Sequence, residues 1–184
     1  MNAPRIRRVL ILLHLYFAAF MAPAFVLMAV SGGLYLIGNK GKVERVELPL
    51  PAGSTLDFKS KSIEADVNAL FTAAGITQDY EYLKVRSRTI QTRPTSRVHI
   101  ELSQTADGLT ATRNTPNFQA SIIELHKGHG PLLFKTYQKI VALALLFVVL
   151  GGVIVGLLAQ AYRRKTIIAS LIGLAAFLCL VLLA

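Results

Sequence analysis

From Ile140 to Ala159 the chain runs for twenty residues without a charge, and Thr166 to Ala184 adds nineteen more. A third stretch, Val9 to Ile37, is interrupted only by His14, Pro23, Ser31 and a few glycines. A helix needs about 20 apolar residues to cross a hydrocarbon core of roughly 30 Å. Backbone amides have no water to bond with there, so a single apolar run of this length enters lipid as a helix. The chain is 53% hydrophobic, but the clumping of those residues suits three membrane spans better than one soluble core. The first run follows Arg5, Arg7 and Arg8, as a signal peptide would. Its 29 residues would rise about 43 Å, against a signal core of about 7–15 residues. Ala22-Pro23-Ala24 also lies mid-run, a poor place for cleavage, so the run reads as a retained helix.

Lysine and arginine near the span ends set the expected orientation. Arg5, Arg7 and Arg8 flank one end of the first span, and Arg163, Arg164 and Lys165 lie between the second and third. Three spans put both clusters on one side, the cytoplasmic one. The expected layout is a basic N-terminus over 1–8, a first span over 9–37 and an extracytoplasmic segment over 38–134. A second span over 135–159, a cytoplasmic loop over 160–165 and a third span over 166–184 follow. Much of the net charge of +10 is therefore a matter of topology. No basic patch is interleaved with aromatics, so nucleic acid is not an expected partner; the lipid bilayer is. Arg86, Arg88, Arg93 and Arg97 read as a solvated strand face, with contact to anionic headgroups as the alternative. Cys179, the single cysteine, falls in the third span and reads as a small apolar packing residue.

The segment between the first two spans has mixed patterning. Ser62 is placed to cap a helix running to Ala74, with Glu64 and Asp66 in its first turn and Gly75 just past its end. Ile63, Val67, Leu70, Phe71 and Ala74 give that helix one apolar face. Leu83 and Val85 alternate with Lys84 and Arg86, and Val98, Ile100 and Leu102 with Arg97, His99 and Glu101, as in strands. Asp107-Gly108 turns the chain into a third strand through Leu109 and Ala111. The expected fold class is membrane α-helical, three transmembrane helices with a small α+β domain: one helix on a three-stranded antiparallel sheet. So small a core is expected to lean on the membrane helices or on a partner. His99 is expected on the solvated face. No nucleophile–base grouping, P-loop, GxGxxG or CxxC is present, so no catalytic residue is assigned. Gly32, Gly33, Gly152 and Gly156 read as small-residue helix contacts, between the first two spans or across a dimer.

A basic N-terminus, a histidine one turn into the first span (LHLYFAAF) and Ser31-Gly32-Gly33 toward its other end form half of a pattern. The other half is Leu125-His126-Lys127-Gly128, then Gly130-Pro131-Leu132, and a second span that closes on Gly151-Gly152. With the helix-and-strands segment between, residues 5 to 160 resemble the PepSY-associated transmembrane helix family of bacterial inner membranes. The resemblance implies a PepSY-like extracytoplasmic domain slung between two membrane helices. Larger relatives repeat the unit, and some reduce ferric iron or ferric siderophores with b-type haem held by histidines. Here one unit is followed by a short third span.

His14, His126 and His129 are the candidate haem ligands. His14 lies about 7 Å into the first apolar run at 1.5 Å per residue, whereas His126 precedes the second by fourteen residues. The thickness of the bilayer core, roughly 30 Å, is expected to separate them, so one haem within one chain is excluded. His126 and His129, three apart, share a face if helical and cannot clasp opposite sides of a ring. With Glu124 they match no standard helical metal spacing, and no metal site is assigned. A haem b would need a partner chain, through His14 and its copy in a homodimer or through either histidine and another subunit. Otherwise His14 is a neutral imidazole bonded to a backbone carbonyl or a neighbour, and ELHKGHG holds the chain at the interface and docks the PepSY-like domain. The expected function is that of a non-catalytic accessory, assembly or stabilising subunit of a larger inner-membrane complex, respiratory or metal-redox. The alternative is a haem b electron-transfer protein or ferric reductase component.

Overall fold

The computed structural model describes residues 3–183; Met1, Asn2 and Ala184, with the side chains of Ala3, Pro4, Ile6 and Arg7, lie outside the described residues. In chain order the elements are α1 (Ala3–Leu36), β1 (Val43–Leu48), α2 (Ile63–Ala73), β2 (Tyr82–Val85), β3 (Thr89–Arg93), β4 (His99–Thr105), β5 (Gly108–Pro116), α3 (Phe118–His126), α4 (Leu132–Leu158) and α5 (Gln160–Leu183). Of these, α1, α4 and α5 are long and apolar enough to cross a membrane. The chain is accordingly a membrane protein with a small antiparallel sheet domain. It divides into two compact units, Met1–Phe25 with Lys139–Ala184, and Val26–Gln138.

In the helical unit few side chains are buried, and most are small: Met21, Ala24, Val141, Ala144 and Ala159. None of α5 is buried, as suits a helix whose solvent is lipid. Pro23 lies inside α1; membrane helices tolerate the missing backbone donor where neighbours can bond the freed carbonyl. Ala159 alone separates α4 from α5, and its carbonyl accepts from the amides of Tyr162 at 2.9 Å and Arg163 at 2.8 Å. Residues 160–165, expected as a loop, are thus the first turns of α5. The reason is local: Gln-Ala-Tyr-Arg-Arg-Lys contains no helix breaker, and Arg163 Nε bonds the Leu157 carbonyl at 2.8 Å.

The sheet unit holds five antiparallel strands in the order β1-β5-β4-β3-β2, where three were expected. Strands β4 and β5 pair from His99↔Asn114 to Thr105↔Gly108, around the turn at Ala106-Asp107. Gly108 takes φ +128 there, a conformation open to glycine. Val67 and Phe71 of α2 pack on Ile90, Ile100, Leu102 and Ala111, every one of them almost wholly buried. Complete burial of one Ile or Leu stabilises by about 1.5–3 kcal/mol, so this cluster carries most of the unit's apolar stabilisation. Ser62 stands at the N-cap of α2 as expected, but its hydroxyl bonds the Asp66 carboxylate and no backbone amide.

The two strands missed by sequence have physical reasons. Strand β3 reads Thr-Ile-Gln-Thr-Arg, with one apolar residue, because its second face meets a polar layer. Strand β1 is an edge strand that is largely exposed and is held mainly by pairing with β5. The second sheet face is covered in part by α3, so His99, expected to be solvated, is only 8% exposed, and its Nδ1 bonds the Arg97 carbonyl at 2.9 Å. Arg93 departs from its expected solvated position in the same way, at 2% exposure.

Ile100→Ala should destabilise the sheet unit by about 2–5 kcal/mol, because the cavity lies at the centre of the cluster. Val85→Ala, at an exposed position, should have a much smaller effect. Hydrogen exchange of the β3–β5 amides in the full chain measures both.

Candidate functional site

Helix α3 is pinned at each end. At its start the Asn117 side chain accepts from the amides of Ala120 at 2.9 Å and Lys42 at 3.2 Å. Gly41, at φ +75, lies so close that a Cβ would stand 2.5 Å from the Ala120 nitrogen. At its end His126 meets Ser31 of α1, with Nδ1 2.8 Å from Oγ. The Ser31 hydroxyl has one proton and gives it to the Leu27 carbonyl at 2.6 Å, so it accepts from the imidazole. His126 therefore donates from Nδ1. Gly32 completes this seat, since a Cβ there would stand 3.1 Å from His126 Cε1, whereas Gly33 faces open space.

Two residues before His126, Glu124 accepts three hydrogen bonds: from Lys127 Nζ at 2.6 Å, Thr95 Oγ1 at 2.7 Å and His129 Nδ1 at 2.7 Å. Burial alone would raise its pKa; the bonds from Lys127, Thr95 and His129 outweigh that and hold the carboxyl down at about 2. Burial is also the main influence on His129, whose pKa falls below the usual value although the Glu124 bond opposes this. At neutral pH the contact is accordingly a neutral imidazole donating to a carboxylate. The Thr95 amide bonds the His129 carbonyl at 3.2 Å, and Arg93 Nη1 donates to Thr95 Oγ1 at 2.9 Å. His126 and His129, adjacent in the motif, are thus turned to different partners and share no centre.

In the helical unit His14 faces the paired glycines of α4. A Cβ at Gly152 would stand 3.2 Å from His14 Cε1, and one at Gly151 3.8 Å from Nδ1. These glycines make room for an imidazole, where backbone-to-backbone packing was expected. Gly156 faces α5: a Cβ there would stand 2.5 Å from Thr166 Oγ1. His14 Nδ1 is buried and has no hydrogen-bond partner among the described residues. The ring borders a groove of about 490 Å³ whose other side chains, among them Leu13, Phe17, Phe147 and Ile154, are apolar.

Thr95 and Arg93 complete these arrangements with nothing in their local sequence to mark the role, whereas Asn117 stands at the N-cap of α3, a position that favours Asn. No group of three or more His, Cys, Asp or Glu side chains is arranged to hold a metal ion among the described residues. Comparison with protein-family models, curated proteins and solved structures yields no match to this chain.

The depressed pKa of Glu124 has a sign. A carboxyl whose folded pKa lies below its unfolded value adds stability that is complete above the unfolded pKa, near 4.5 here, and is lost as pH falls toward about 2. Glu124→Gln should lower stability at pH 7 and flatten the acid limb between those two values. Thermal unfolding of the two proteins across that pH range checks it.

Proposed function

We propose that the chain is a non-catalytic accessory, assembly or stabilising component of a larger bacterial inner-membrane complex, with a PepSY-type domain. In this reading the N-terminus is cytoplasmic and residues 38–134 are extracytoplasmic. The observation that carries it is the use of ELHKGHG. His126 bonds Ser31 of α1 and Glu124 bonds Thr95, while Lys127 and His129 bond Glu124 itself, so the segment's polar side chains are engaged within the fold. The exposed length of α5 supplies apolar surface for other membrane subunits or for a second copy. Purified from native membranes in mild detergent, the chain should migrate with stoichiometric membrane neighbours on a native gel. Migration as a lone monomer across several mild detergents would refute this reading.

A second reading, a haem b electron-transfer protein or ferric reductase component, is favoured by His14 alone. The His14 ring borders an apolar groove and has a nitrogen without a partner among the described residues; a haem there would take His14 as one ligand and would need a second from another chain. A bound haem would supply one-electron transfer, with His14 holding the iron and Gly152 leaving the ring room to turn. The purified protein should then show a reducible Soret band that His14→Ala abolishes and His126→Ala leaves intact. A band kept by the double variant would remove both histidines as ligands.

A further inference from the structure

On the sheet face opposite α2, a cleft of about 470 Å³ lies between the strands and α3. Five basic side chains line it, Lys40, Arg45, Arg86, Arg93 and Lys127, against two carboxylates, Glu101 and Glu124. Both carboxylates are already engaged. Glu124 is bonded by three donors, and Glu101 accepts from Gln91 Nε2 at 2.5 Å. Of the basic residues only Lys127 has an ion-pair partner among the described residues.

Arg93 is the unusual member. Its guanidinium is almost wholly buried, yet the bonds it makes are to neutral groups: Nη1 to Thr95 Oγ1 at 2.9 Å and Nη2 to Gln91 Oε1 at 3.1 Å. Its Nε is buried with no hydrogen-bond partner among the described residues. A guanidinium has five N–H donors, and these two bonds leave three of them, Nε among them, unused. Burying a cation without a counter-ion is strongly unfavourable, and an anion in the cleft would relieve it.

We propose that this cleft is a binding site for a phosphate-bearing anion. Arg93 would present its fork at the base of the cleft, and Arg45 and Arg86, both exposed, would close on the remaining oxygens. Planar guanidinium donors match phosphate oxygens in pairs. The excess of three positive charges suits a di- or polyanion better than a single carboxylate, which would leave most of that charge unneutralised. The cleft has room for a headgroup and not for acyl chains. Tyr35, in the last turn of α1, and Lys40, just past its end, form one side of it. Next to them Leu36 and Ile37 are 85% and 77% exposed, apolar surface that would lie against lipid if the phosphate belongs to a phospholipid. The same chemistry would accept a soluble phosphate.

The test uses the full chain, compared with Arg45→Gln/Arg86→Gln. Both positions are exposed, so this variant should fold even if Arg93→Gln does not. A control variant, Lys61→Gln/Arg88→Gln, makes the same charge change outside the cleft. Inorganic phosphate is titrated by calorimetry in neutral detergent at constant ionic strength. Native mass spectrometry then counts lipids retained from nanodiscs of mixed phosphatidylglycerol and phosphatidylcholine. The cleft variant should lose affinity about tenfold or more, as expected for charge-assisted bonds, and the control should match the wild type. Loss of phosphate binding identifies a soluble ligand; loss of phosphatidylglycerol retention alone identifies a headgroup. Equal behaviour of all three proteins toward both probes, or equal loss in the cleft and control variants, overturns the proposal.

Discussion

The Glu124 carboxylate is half-buried between α3 and the sheet, and a charged group in that position is stable only when donors surround it. Two of its donors, Lys127 and His129, come from the turn that follows α3, and the third, Thr95, comes from the connection between β3 and β4. That third bond joins segments 29 residues apart, and the contact continues through Arg93 and Gln91 to Glu101. Helix α3 is thereby held over the second face of the sheet. Its cover buries His99, walls the basic cleft and brings His126 to Ser31. Each of these features depends on a carboxylate that has exchanged water for three fixed donors.

The two faces of the sheet are built by different forces. Against α2 the contact is apolar, and the hydrophobic effect there is non-directional and tolerant of small shifts. Against α3 the contact combines buried apolar side chains, Ala120, Ile122 and Ile123, with hydrogen bonds whose geometry is specific. A face of the second kind can keep a polar cleft open beside it, because its stability does not depend on excluding every water. This is why charged side chains collect on one side of the sheet while the other side holds the core.

The histidines show how environment divides one residue type into several roles. His126 donates from Nδ1 to a serine that has already committed its own proton to the helix backbone of α1. His129 is kept neutral by burial and donates to a carboxylate. His99 is kept neutral in the same way and donates to a backbone carbonyl. Among the described residues, His14 is the histidine with a buried ring nitrogen that has no partner. The glycines follow the same division: Gly32 and Gly152 accommodate imidazoles and Gly156 a threonine, while Gly33 borders open space.

The sequence by itself determined the three membrane-length helices, because twenty uncharged residues leave the backbone no alternative in lipid. It also determined α2 and the β4–β5 hairpin, whose periodicities and Asp-Gly turn are local signals. His14, Ser31, Gly152 and the ELHKGHG segment could be picked out as unusual, but their partners could not. The tertiary structure alone decided that Ser31 receives His126 across 95 residues, that β1 pairs with β5, and that Arg93 and His99 are buried. Alternation along a strand reports burial only where one face is apolar and the other wet. When the second face is covered by a polar layer, as at β3 and β4, the pattern reads as solvent exposure. Hydrogen bonds between distant segments leave no period in the chain, so the bonds that place α3 became visible only once the fold brought their donors and acceptors together.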